Sequence, residues 1–253
     1  MIRLKTKADI EVLKESGKRL SNILFQIAKA VKPGVKTREL DDLALSLIRK
    51  NGDKPAFLDY RSEGSPLAYP AALCVSINEE IVHGVPGERV LQAGDIVGLD
   101  LGLNHKGFFT DMAMTVPVGE ISDEDKKLIK VAKQALEVGI KAAKSNGHIG
   151  DISAAIQKYV EGEDLNVVRE LAGHGVGYAV HEDPFVPNYG RPHTGEKLKP
   201  GLVLAIEPMV TAGSGRIVLE EDGFTFSTRK GENSAHFEKT IAITEKGVII
   251  LTN

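Results

Sequence analysis

The chain has 253 residues, 42% of them apolar, with 35 acidic against 32 basic side chains and a formal charge of −3. That balance excludes a global attraction to nucleic acid or acidic membranes, while the apolar share is enough for a substantial core. Cys74 is the single cysteine, the N-terminal stretch lacks a signal-peptide pattern, and no apolar run approaches the roughly 18 residues of a membrane span. A cytoplasmic protein is the expectation.

Residues 8–32 carry Ile10, Leu13, Leu20, Leu24, Ile27 and Val31 at close to helical spacing, and Pro33-Gly34 ends the run. A second helix is predicted from Thr37 to Lys50, with Leu40, Leu43 and Leu47 on one face. Strand-like segments then run to Val118. The rhythm restarts at Ser122, which opens a helix carrying Leu128, Val131, Leu136 and Ile140 and ending at Asn146-Gly147. Asp151 is expected to cap a further helix, and strand-like segments return to the C-terminus. The repeated order suggests an internal duplication. LQAGDIVGLDLG (91–102) lies over LKPGLVLAIEPM (198–209), and in that register Asp100 coincides with Glu207. One α+β catalytic domain over 1–253 follows, with pseudo-symmetric halves of about 1–120 and 121–253.

The stretch VGLDLGLNHKGFFTDMAMTV (97–116) reads as two strands around a turn at Asn104-His105-Lys106-Gly107. With that turn as the symmetric centre, Asp100 and Asp111 lie directly opposite each other, where like charges repel. More polar groups sit in otherwise core-like segments. His174 and His181 lie in the Gly-rich GHGVGYAVHEDP, Glu207 ends an apolar strand, and Glu238 shares a strand face with His236 and Thr240. Singly, each reads as a hydrogen-bonded structural residue or a solvated acid. Together they carry about four negative charges into a core, and divalent cations are the simplest compensation. Four carboxylates and an imidazole exceed one tetrahedral site and suit two ions. The thiolate-free set favours Mn, Fe, Co or Zn in a catalytic rather than a purely structural role. Metal-assisted hydrolysis is the reaction class these residues suggest.

NEEIVHGVP, GLDLGLNHKGFFTD, GHGVGYAVHEDP, IEPMV and SAHFEKTI resemble, in order and spacing, the signature blocks of type I methionine aminopeptidase, over about Lys5 to Leu251. The resemblance implies a pseudo-two-fold "pita-bread" fold, a curved antiparallel sheet covered by two pairs of helices. It implies that Asp100 chelates one ion, that Asp111 and Glu238 bridge two, and that His174 and Glu207 complete the second. Glu207 would also move the proton of the attacking water, and His181 and His83 would face the scissile bond and support the tetrahedral state. Tyr69, Cys74 and Phe224 would line a methionine pocket with His83 at its edge. An insertion near 60–68 departs from the family pattern at one pocket wall, and Val180 stands where an aromatic is common, which implies a slightly wider pocket.

The implied activity is removal of the initiator methionine from nascent polypeptides, chiefly before a small second residue, by a monomer in transient contact with the ribosome. Xaa-Pro aminopeptidases and prolidases are the rival reading, but they add an N-terminal domain for which this chain has no room. A type II enzyme would carry a long helical insertion between His181 and Glu238. A non-catalytic binding module of the same fold would have lost ligand positions that all remain here.

Overall fold

The computed structural model describes residues 2–61, 64 and 66–253. The predicted insertion near 60–68 therefore lies in part, at 62, 63 and 65, outside the described residues. Four helices carry the apolar stripes: α1 (Lys7–Ala30), α2 (Thr37–Lys50), α3 (Asp123–Ala142) and α4 (Ile149–Gly162). Thr6 and Asp9 open α1 with a reciprocal cap, the Thr6 hydroxyl accepting the Asp9 N–H and the Asp9 carboxylate accepting the Thr6 N–H. Leu20, Ile23, Leu24 and Ile27 of α1 are fully buried, each contributing about 1.5–3 kcal/mol as an upper figure. Ser122 caps α3 as expected, its hydroxyl accepting the Asp125 N–H. Two expectations shift here. The third helix stops at Ala142, where Ala143 turns extended, four residues before Asn146. At α4 it is His148 that occupies the cap position; Asp151, inside the first turn, accepts the His148 N–H at 2.8 Å.

Each helix pair covers an antiparallel sheet. On the N-terminal side Leu73–Ile77, Ile96–His105 and Phe108–Pro117 pair in that spatial order, and the short Lys54–Pro55 pairs with Leu103 and Asn104 on the same edge of Ile96–His105 as Leu73–Ile77. Val97, Leu99, Leu101 and Leu103 point into the core shared with α1 and α2. The period of two then sends Gly98, Asp100 and Gly102 to the opposite face. On the C-terminal side the order is Gly247–Ile250, Lys239–Thr244, Val203–Ile206, Ala172–Gly175 and Glu182–Pro187. Leu204, Ile206 and Ile241 of this sheet pack against Leu128, Val131, Ile152 and Ile156 of α3 and α4.

The two sheets meet along Phe108–Pro117 and the segment 236–240. The Thr240 hydroxyl accepts the Asp111 N–H at 2.9 Å and donates to the Asp111 carbonyl at 2.8 Å. Thr115 does the same for His236, at 2.9 and 3.0 Å. Between these two clasps the Glu238 N–H donates directly to the Ala113 carbonyl at 2.9 Å. The seam thus fixes Asp111 and Glu238 relative to each other. α1 crosses close to the end of the chain: a Cβ on Gly17 would stand 2.2 Å from the Leu251 carbonyl oxygen, so only glycine fits that crossing.

The hairpin corrects one expectation. His105 pairs with Phe108, so the turn is the two-residue Lys106-Gly107, with φ of 53° and 87°. Left-handed backbone at both positions is the type I′ pattern, which places glycine second, and Asn104 accepts the Gly107 N–H at 2.9 Å. The centre lies one residue further along than a symmetric 104–107 turn would put it. Asp100 therefore faces Ala113 and Asp111 faces Gly102. The two acids are diagonal neighbours rather than directly opposite. They stay on one face because the change of partner is two residues, one full period of the strand.

Candidate metal centre and substrate cavity

The candidate metal ligands Asp100, Asp111, His174, Glu207 and Glu238 line one cavity of about 110 Å³ together with His83, His181, Tyr69, Cys74 and Phe224. Asp100 and Asp111 come from the N-terminal hairpin, and His174 from the strand Ala172–Gly175. Glu207 directly follows the strand Val203–Ile206, and Glu238 lies at the seam. Candidate oxygen and nitrogen donors of Asp111, His174 and Glu238 all lie within 4.8 Å of one another. Gly102, opposite Asp111, has to be small: a Cβ there would lie 2.6 Å from the Phe57 ring and 2.7 Å from the Ala56 methyl.

Burial dominates the electrostatics. It pushes Asp111 up to about 7 and Glu207 to about 8, and it drives Asp100 and Glu238 well above the carboxylate range; mutual repulsion with the neighbouring carboxylates adds to this at Asp100, Asp111 and Glu238. The same burial lowers His174 and His236 to about 3 and His83 to about 4, so these rings are neutral. No lysine or arginine is among the described residues lining the cavity. The acids are therefore left without a protein cation.

Three buried atoms here have no hydrogen-bond partner: Asp100 Oδ1, Glu238 Oε1 and His236 Nε2. His174 Nδ1 lies 2.9 Å from the Gly175 carbonyl, to which it can only donate, so the lone pair falls on Nε2. That Nε2 lies 3.6 Å from Glu207 Oε1. Orphaned carboxylate oxygens and an imidazole lone pair converging on one space are the arrangement a divalent cation resolves. The residues present fit such an ion.

The sequence reading missed several contributors. His236 Nε2 lies 3.2 Å from Glu207 Oε2; its place two residues before Glu238, on the same strand face, was the available signal. Tyr60 lines the cavity, and its hydroxyl lies 2.7 Å from His181 Nδ1, fixing a ring that is otherwise open to solvent. Nothing in the sequence links residues 121 apart. Phe57 and Leu67 complete the lining.

One wall is apolar. The Tyr69 and Phe224 rings meet edge to face with centroids 5.5 Å apart, and the Tyr69 hydroxyl donates to the Gly84 carbonyl at 2.8 Å. Cys74 stands directly across the ladder from Asp100, and burial pushes its thiol up, so it is a neutral sulfur surface. Val180 backs this wall within the apolar cluster of Phe57, Tyr69 and Cys74 rather than lining the cavity.

Comparison with known proteins places these features in context. Residues 11–245 match the model of metallopeptidase family M24. The methionine aminopeptidase 1 of Bacillus subtilis (strain 168) is 47% identical over 252 residues, covering 100% of this chain and 99% of that protein. A methionine aminopeptidase of Clostridium perfringens (strain 13 / Type A) is 44% identical over 252 residues, covering 100% of this chain and 99% of that protein. The solved methionine aminopeptidase of Thermotoga maritima superposes with a TM-score of 0.95 at 44% identity, with all of both chains covered. A prolidase from Pyrococcus furiosus shares the fold at 22% identity and a TM-score of 0.78, with 65% of that chain covered.

Proposed function

The chain belongs to metallopeptidase family M24, and from that premise we propose that it removes the N-terminal methionine from nascent polypeptides, preferably when the second residue is small. The fold is the pita-bread fold of that family. The carrying observation is the cavity itself, in which four carboxylates and an imidazole converge beside a wall of Tyr69, Phe224 and Cys74. An unbranched thioether side chain suits such a wall, since aromatic faces and sulfur pack well against one another.

The residues divide the work by position. Asp100, Asp111, His174, Glu207 and Glu238 would hold two divalent ions, Asp100 serving one, His174 and Glu207 the other, and Asp111 and Glu238 both; Co, Mn, Fe and Zn all accept these donors. Bound there, such ions acidify a water and polarise the scissile carbonyl. Glu207 takes up the proton that the water gives up and returns it to the departing amine. His83 and His181 face the scissile bond and stabilise the oxyanion that develops on its carbonyl. Tyr60 holds His181 in the orientation this needs. The whole chain works as a single catalytic domain of two pseudo-symmetric halves, about 1–120 and 121–253. We place it in the cytoplasm as a monomer meeting chains as they leave the ribosome; no described helix is long and apolar enough to cross a membrane.

Metal-loaded protein incubated with Met-Ala-Ser and Ala-Pro-Ala tests the reading. Free methionine from the first peptide is the expected product, and release of alanine from the second without methionine from the first refutes it. Asp111→Asn should lower both bound metal and turnover; full activity in that variant removes Asp111 from the bridging role.

A further inference from the structure

Among the described residues, a second group of metal-ligating side chains lies outside the cavity: His148, Asp151 and His193. Two imidazoles and a carboxylate are the donor types that bind zinc-like first-row divalent ions, with further positions left for water. Their candidate donor atoms all lie within 4.8 Å of one another. Asp151 Oδ1 and His193 Nδ1 are 3.4 Å apart, close to the edge of about 3.3 Å that ligands make in a tetrahedron with bonds of ~2.0–2.1 Å.

The carboxylate between the two rings is already oriented. One Asp151 oxygen accepts the His148 N–H and the other the His193 N–H, both at 2.8 Å. Each oxygen keeps a second lone pair free. His148 Nδ1 is a buried nitrogen with no hydrogen-bond partner, a cost that an ion at this position would remove. The His193 side chain is 85% exposed, so it can turn inward without repacking the core. The His148 and His193 rings, 6.5 Å apart between centroids and nearly perpendicular, need only that small closure.

We propose that His148, Asp151 and His193 form a second, peripheral site for a zinc-like divalent cation, which ties the start of α4 to the loop carrying His193. The proposal is independent of how the cavity functions. By linkage, an ion bound only to the folded chain raises its melting temperature.

The test uses full-length protein freed of metal, titrated with zinc alone against a chromophoric competitor. Wild type is compared with His193→Asn, since asparagine tolerates the left-handed backbone at 193 (φ of 62°). His193→Asn should bind one zinc equivalent fewer, or bind that equivalent at least tenfold more weakly, with an unchanged far-ultraviolet spectrum. His148→Gln should lose the same equivalent. In Asp111→Asn, which cripples the cavity site, that equivalent should persist. Equal zinc binding by wild type and His193→Asn overturns the proposal. So does disappearance of the same equivalent in Asp111→Asn, which would assign it to the cavity.

Discussion

Stripping the metal should make this protein less stable as pH rises, the reverse of ordinary acid denaturation. Asp111 goes from an ordinary 3.8 to about 7, and Glu207 from 4.5 to about 8, chiefly through burial. Between the unfolded and folded values the native state holds more protons than the unfolded chain. The slope of stability against pH is therefore negative from about pH 4 to 8. The stabilising protons are all present below pH 4 and lost as pH passes through 7 and 8. For Asp111 alone, a rise from 3.8 to about 7 corresponds to about 4 kcal/mol. At roughly 2–4 °C per kcal/mol for a chain of this size, that is roughly 8–16 °C of melting temperature. Glu207 acts in the same direction, though the two cannot simply be added because they share one electrostatic environment. Thermal melts of chelator-treated protein at half-unit steps from pH 4 to 8.5 measure the effect. Asp111→Asn, which has no carboxylate to titrate, should flatten the curve, and saturating divalent metal should reverse its slope, because ligation favours the deprotonated carboxylates. A chelated melting temperature that stays level or climbs over this window refutes the assignment of these acids to a buried, cation-less cluster.

Two further predictions address groups that touch the site from outside the metal ligands. Thr240→Val keeps shape but deprives the buried Asp111 N–H and carbonyl of their shared partner; a loss of about 2–4 kcal/mol in urea unfolding is expected, with Thr240→Ser close to wild type. Tyr60→Phe removes the hydroxyl next to His181 Nδ1 while keeping the ring in the wall. Steady-state kinetics with Met-Ala-Ser should show kcat falling about 2- to 12-fold, the range for one net hydrogen bond, with KM little changed.

The sequence reading reached the fold through period and repetition. Leu128, Val131 and Ile156 declared the helices α3 and α4, and alternation in Ile96–His105 separated the helix-facing leucines from Asp100. The acids and His174 were readable as a set, because about four carboxylates in apolar segments together call for a compensating cation. What escaped depends on distance in three dimensions. The Tyr60–His181 contact and the threonine clasps join residues more than 120 positions apart, and neither tyrosine nor threonine is unusual where it stands. The hairpin register failed for a local reason. A turn spread symmetrically over Asn104-His105-Lys106-Gly107 puts its midpoint between His105 and Lys106, whereas a two-residue type I′ turn with glycine second fits Lys106-Gly107 alone.

That seam also explains how the fold tolerates so much uncompensated polarity. Where the two sheets meet, the backbone groups of Asp111 and His236 are satisfied by threonine hydroxyls, and the Glu238 N–H by the Ala113 carbonyl. Among the described side-chain atoms around the acids, Asp100 Oδ1 and Glu238 Oε1, from residues lining the cavity, and His236 Nε2, beside Glu207, are left without a hydrogen-bond partner. Had backbone groups been left unpaired as well, metal loss would break the ladder and release the sheets from each other. With the backbone closed, the cost of an empty site is confined to carboxylates that can lower it by taking up protons. Protonation and metal ligation are then alternative ways of relieving the same repulsion, and the chain can keep its two halves in register while exchanging one for the other.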